Sequence, residues 1–262
     1  MILGVLVTCQ QPDRPVLLTD SDATGYGALT DGSESLSTTT VQEETPEEIV
    51  TRLRKSDLWH AVVNLDVPVL QLFKDPDENY VLSEGLTNPG PFEGPRTLET
   101  TGRFSGDFVE IVVPVKPNNT TAWVKNEHIT HHESDVFIVI DLSDRKAILF
   151  QGENVLVEAP VAIGKEETPT PIINAIVDVI WHRPDSEVDL PSLYGDRLFG
   201  LNKHSEVLDH FHGGRPALAI HSTDEPEFIG TEISNGCIRM YPEDMNFFAQ
   251  HVVLGTRVSI IP

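Results

Sequence analysis

The sequence predicts a mainly β protein, and three observations carry that expectation. Apolar and β-branched residues alternate in short runs, as in FVEIVVPV (108–115) and VFIVID (136–141), the period of strands rather than helices. Turn-forming clusters of Pro, Asn, Asp and Gly separate those runs, each able to reverse the chain. Within 134–262 the clearest helical pattern is YPEDMNFFAQHV (241–252). Without strand–helix alternation or a fixed-period repeat, a parallel α/β sheet is disfavoured.

Taken in order, the chain opens with MILGVLVTC (1–9), an apolar run ending in one of its two cysteines. It half resembles the end of a bacterial lipoprotein signal, which makes Cys9 a candidate for a lipid anchor; a frayed terminus with a chance cysteine is the alternative. Residues 10–44 are rich in Ser, Thr, Gly, Asp and Glu, too polar to offset chain entropy by burial, and are expected as a disordered acidic linker. Thr45, Pro46 and Glu48 form a capping-box start for a short helix, supported by Glu48 and Arg52 four apart. From Trp59 the pattern turns strand-like, and a hairpin is expected around Lys116-Pro117-Asn118-Asn119. The short helix and a small antiparallel barrel thus fill 45–133. Residues 134–262 make a second domain that opens as a meander, turning at Ser143-Asp144. It ends in a helix with Met245, Phe248 and Ala249 on one face, then Gly255 and a final strand.

Composition limits the partners. At 262 residues, 39% hydrophobic and 23% charged, the chain can bury a sizeable core. A net charge of −23 repels phosphate backbones, so no nucleic acid is expected as a partner. No run reaches the roughly 18–20 apolar residues of a membrane-spanning helix.

The chemistry-bearing stretch is IHSTDEPEFIGTEISNGCIRM (220–240). A chain with no disulfide framework places its second thiol, Cys237, in a Ser-Asn-Gly-Cys turn, sixteen residues after His221. Thiol catalysis needs a base beside the sulfur and backbone N–H donors for the oxyanion. His221, at the end of the strand ALAI, can be the base. Gly236 lets the chain aim the amide of Cys237, with that of Gly236 or Asn235, at a carbonyl oxygen. Arg239 can favour the thiolate or bind a substrate carboxylate. A small core cysteine is the plain alternative. No cofactor is called for, and no metal: His128, His131 and His132 lack the spacing of a zinc module. Trp181 and Tyr194 are candidate groove walls or core anchors.

This stretch resembles the signature of the L,D-transpeptidase catalytic domain (YkuD-type), a histidine followed some fifteen residues later by Ser-x-Gly-Cys-x-Arg. PVAIGKEETPTP (160–171), LFGLNKHSEVL (198–208) and GTRVSIIP (255–262) resemble further segments of that domain, and VVPVKPNNTTAWVK (112–125) resembles the SH3-like module that often precedes it in actinobacterial members. Together they cover about 80–262. The resemblance implies an SH3-like barrel followed by a β-sandwich or barrel catalytic domain with one or two short helices. It makes Cys237 the acylated nucleophile, His221 the base, and Ser222 the residue whose carbonyl orients the ring. Ser234, Asn235, Gly236 and Arg239 would shape the oxyanion and stem-peptide site, and His204 would line the cleft. Many members have His at the position of Asn235 and Gly at that of Ser222.

The implied reaction is a cysteine acyltransfer between peptidoglycan stem peptides: loss of the terminal D-alanine and a 3→3 crosslink, inhibited by β-lactams of the carbapenem type. The place is extracytoplasmic, in the cell envelope. Alternatives are an L,D-carboxypeptidase, in which water resolves the thioester, and a non-catalytic wall-binding protein.

Overall fold

Among the described residues, seven strands precede residue 134: β1 (Trp59–Val63), β2 (Val69–Leu70), β3 (Leu86–Thr87), β4 (Thr97–Ser105), β5 (Phe108–Val112), β6 (Thr121–Lys125) and β7 (Ile129–Glu133). Five of them form an antiparallel sheet in the order β6-β5-β4-β1-β7. Both faces of β5 are covered. Val109 and Ile111 join Ala61, Leu98 and Val124 in the core, while Phe108 meets Phe73 and Trp123 behind it. Glu110 shares that rear face and is buried, and a buried carboxylate needs partners. Arg103 supplies one at 2.9 Å and the Thr101 hydroxyl another at 2.7 Å. The β5–β6 hairpin turns where its Pro-Asn-Asn signal lies. Val113 N–H donates to Thr120 O, the Thr120 hydroxyl donates to Pro117 O, and Asn119 takes the left-handed conformation at φ 65°, which Asn tolerates better than most residues.

This is a computed structural model, and it describes Glu48, Thr51 and residues 59–77, 85–186, 188, 190–211 and 214–262. Cys9, the acidic linker and most of the helix expected after Thr45 lie outside the described residues; Glu48 and Thr51 themselves have helical backbone. Both sheets fall within one compact unit, Glu44–Pro262. Among the described residues no helix is long and apolar enough to cross a membrane.

The remaining strands are β8 (Val136–Asp141), β9 (Lys146–Gln151), β10 (Asn154–Gly164), β11 (Asn174–His182), β12 (Arg197–His204), β13 (Ala217–Ser222), β14 (Glu232–Ser234), β15 (Ile238–Met240) and β16 (Arg257–Ile261). Their order is β14-β10-β15-β13-β12-β11-β16-β8-β9, and β9 pairs again with β10. The sheet therefore closes on itself, which removes exposed edges. The long strand β10 makes this possible by changing partners: residues 154–160 pair with β9, and Val161 and Ala162 pair with β15. β8, β9 and β10 form the expected meander, but the whole is not one. β16 joins β8 in parallel, and β13 joins β15 in parallel. Such pairings follow from long connections, which no local sequence period reports.

Closure puts one apolar set inside: Ile138, Ile140, Leu149, Val177, Phe199, Leu218 and Ile220 among them. β8 is covered on its other face too, where Phe137 stacks on Phe150 at 4.7 Å. Helix α1 (Pro242–Phe248) sets Met245 and Phe248 into the inner core, both fully buried, each worth about 1.5–3 kcal/mol relative to exposure. The two sheets meet tightly at β1, where the His60 ring lies against Gly255. A Cβ added at Gly255 would stand 2.1 Å from that ring.

Candidate active site

The parallel pairing of β13 with β15 sets Ile220 opposite Ile238 and His221 opposite Arg239. Side chains alternate along a strand, so the register sorts them. Leu218, Ile220, Ile238 and Met240 point into the inner core. Ala219, His221, Cys237 and Arg239 point to the other side, with Cys237 in the turn just before β15. Sixteen residues of sequence are thereby folded into adjacency on one face. His221, Cys237 and Arg239 line a narrow cleft, together with Tyr194, Leu208 and Phe211.

His221 is held in one tautomer. Its Nδ1 lies 2.7 Å from the Ser222 carbonyl oxygen, which can only accept, so Nδ1 carries the proton and Nε2 keeps a lone pair. The Tyr194 ring meets the imidazole edge-on at 5.0 Å. Burial pushes the imidazole down to about 4, with the Ser222 carbonyl opposing that shift, Arg239 adding to it and Asp224 opposing it. Cys237 is half-buried, and desolvation pushes its thiol up to about 11 although the Ala219 amide and Arg239 both favour the thiolate. The resting site thus holds a neutral thiol and a neutral imidazole.

Ser222 works twice. Its carbonyl fixes His221, and its hydroxyl accepts the N–H groups of Asp196 (2.9 Å) and Arg197 (3.1 Å). Gly195 makes this possible: it sits at φ 59°, and a Cβ there would lie 2.3 Å from the Ser222 hydroxyl. That corner carries Tyr194 to the imidazole, which gives a serine at this position a physical reason.

The turn before the sulfur is braced from below. Gly236, at φ 110°, takes a conformation that only glycine adopts cheaply. The Ser234 hydroxyl accepts the Gly236 N–H at 3.0 Å and donates to the Cys237 carbonyl. Of the amides expected to face an oxyanion, those of Cys237 and of Gly236 or Asn235, that of Gly236 is therefore already engaged within the turn. Thr168 donates to Ser234 O at 3.2 Å and Thr170 to Gly236 O at 2.9 Å, while Thr170 accepts the Gly164 N–H at 2.8 Å. A Cβ at Gly164 would sit 2.4 Å from Thr168 O. Residue-by-residue reading of the sequence missed these two threonines as supports, although the Thr-Pro-Thr segment was the signal.

Arg239 donates to Glu225 at 2.8 Å, and its Nε is buried without a partner among the described residues. Asn235 is exposed at the lip of the cleft. His204 is a correction: it does not line the cleft but is buried on β12, where its backbone bonds to the Asn118 side chain. Trp181 is likewise no wall; it is buried, donates to Val188 O at 2.9 Å and lies under Arg183. His131 and His132 sit on β7, in the other sheet from β13, and His131 bonds to Asn126 at 2.7 Å.

Residues 135–260 match the family model described as the L,D-transpeptidase catalytic domain, YkuD. The YkuD protein of Bacillus licheniformis is 31% identical over 125 residues, covering 48% of this chain and 65% of the relative. The ErfK/SrfK protein of Salmonella typhimurium is 27% identical over 138 residues, covering 47% and 43%. The YkuD protein of Bacillus subtilis is 29% identical over 150 residues, covering 57% and 73%. The chain thus spans less than two thirds of the first two relatives. Among solved structures, an L,D-transpeptidase from Mycobacterium smegmatis aligns over 63% of this chain and 82% of its own, at 15% identity and TM-score 0.38. The family match and the sequence relatives cover the closed sheet and its cleft: residues 135–260 are similar to the YkuD-type L,D-transpeptidase catalytic domain.

Proposed function

We propose that the chain is a peptidoglycan L,D-transpeptidase that forms 3→3 crosslinks through an acyl-enzyme on Cys237. One observation carries the reading: the β13–β15 register brings His221, Cys237 and Arg239 to a single cleft, with the imidazole held by the Ser222 carbonyl in the tautomer that leaves Nε2 a lone pair. His221 Nε2 takes the thiol proton as Sγ attacks the carbonyl of the third stem residue, an L-centre. The Cys237 amide faces the oxyanion, the bond to the terminal D-alanine breaks, and the imidazolium returns its proton to the leaving amine. An acceptor amine then attacks the thioester, its proton passes to His221, and the released thiolate is reprotonated.

A buried donor without a partner costs about 1–3 kcal/mol. The Arg239 Nε is such a donor, and a stem-peptide oxygen can satisfy it. The five-stranded sheet before the barrel is read as the SH3-like module of an exported, cell-envelope protein, with Cys9 as a lipid-anchor candidate. An L,D-carboxypeptidase, in which water reaches the thioester of the partly buried Cys237, is the second reading.

Incubation with a disaccharide-tetrapeptide tests both. Release of D-alanine together with a crosslinked dimer is the expected result. Tripeptide monomer without dimer supports the carboxypeptidase, and an unchanged substrate leaves only a wall-binding protein.

A further inference from the structure

The cleft wall opposite the catalytic strands comes from the segment between β12 and β13, which contributes Leu208, Phe211 and Pro216. Ser205 N–H donates to Pro216 O at 2.8 Å and closes its base, Leu208 N–H donates to the Ser205 hydroxyl, and Phe211 pairs with Gly214.

The other supports come from outside the barrel, from the β5–β6 loop. The Asn118 side-chain amide donates to His204 O at 2.8 Å, and its oxygen accepts the His204 N–H at 2.9 Å. Both backbone groups of the residue that begins the segment are thereby held, as a neighbouring strand would hold them. The Lys116 ammonium donates to Leu208 O at 2.9 Å and to the Asp209 carboxylate at 3.3 Å. Arg215, near the end of the segment, donates to Pro114 O at 3.2 Å. Beneath these bonds the fully buried Lys203 ammonium reaches Asn119 at 2.9 Å and Glu99 at 2.7 Å. A buried ammonium is strongly destabilising unless it is answered, so this junction has one preferred arrangement.

We propose that the β5–β6 loop of the first sheet is a working part of the cleft, with Asn118 and Lys116 as positioning residues that set the Leu208–Phe211 wall for the donor stem peptide. The proposal rests on reading the cleft as the stem-peptide site. It gives the first sheet a task in substrate binding that does not require it to touch the wall polymer. A side-chain amide that replaces a strand partner acts only at short range, so its loss loosens the wall without moving the β13–β15 register.

The test compares the full chain with Asn118→Ala, Lys116→Met and Lys116→Arg. Asn118→Ala is expected to raise KM for the donor tetrapeptide ~10-fold with kcat within about threefold of the parent, the pattern of lost binding rather than lost chemistry. Hydrogen exchange should quicken at the amides of 204–211. Lys116→Met should do the same more weakly, and Lys116→Arg should restore both, since a guanidinium can still donate to Leu208 O. Alkylation of Cys237 by iodoacetamide should stay within about twofold, because so small a reagent does not use the wall. Parent-like KM and exchange in both Asn118→Ala and Lys116→Met would overturn the proposal. So would a loss of alkylation in parallel with kcat, which would mean the loop holds the thiol and imidazole instead. If Asn118→Ala fails to fold, Lys116→Met, at a partly exposed side chain, decides alone. If the parent turns over no stem peptide, the functional reading fails, while exchange at 204–211 still decides whether the loop holds the wall.

Discussion

Replacing Cys237 by serine is expected to cut D-alanine release and dimer formation by at least about a thousandfold while leaving the fold intact. The reason lies in the resting protonation states. With the imidazole near 4 and the thiol near 11, no ion pair exists beforehand, and the proton must move as the sulfur attacks. A hydroxyl is a far weaker acid than a thiol, and an imidazole held near 4 is a poor base for it, so attack by the serine is much slower. His221→Gln is the companion: the glutamine amide can still donate a hydrogen bond but has no basic nitrogen, and the loss should be about 10²–10⁴-fold. Because Cys237 is half-exposed at the edge of the core, the serine variant should unfold at a temperature close to that of the parent. Retained turnover in Cys237→Ser, measured by product chromatography, would place the chemistry elsewhere.

Stability should fall steeply between pH 6.5 and pH 4. His60, His204 and His221 are all buried, and desolvation, the leading cause in each, holds them down to about 4. In the unfolded chain they take up protons near 6.5, so across that window the unfolded state binds three protons that the native state refuses. Asp178 works the other way: burial pushes its carboxyl up to about 7, so the native state binds one proton the unfolded state does not take until near 4. The difference of two protons gives a slope of roughly 3 kcal/mol per pH unit, stability rising with pH. Urea unfolding at pH 7, 6 and 5 reads it directly, and His60→Gln should reduce the slope by about half. Equal midpoints at pH 7 and pH 5 would contradict the burial of these three rings as neutral groups.

Local patterns carried much of the architecture. The turns at Ser143-Asp144 and Lys116-Asn119 and the apolar face of Met245 and Phe248 lie where their residue types put them. His221 stands near the end of a strand and Cys237 after a glycine turn for the same reason, since Gly236 requires positive φ. What escaped was decided by contacts distant in sequence. Nothing in TRVSII states that β16 will lie parallel to β8, because strand partners across a hundred residues are chosen by closure of the whole sheet. His204 shows the same limit at one residue. It belongs to a segment that does reach the cleft through Leu208, but its own backbone is held by Asn118 from another sheet. Thr168 and Thr170 were visible as a motif, yet their task became legible only once Ser234 and Gly236 lay above them.

Intact-mass measurement after incubation with a carbapenem tests the central claim most directly. A strained β-lactam amide offers the thiol the same carbonyl attack as a stem peptide without the need for an acceptor, so the adduct persists. One adduct per chain is expected, located by peptide mapping on the fragment that contains Cys237, and none in Cys237→Ser. An unmodified protein, or an adduct that survives in Cys237→Ser, would contradict it.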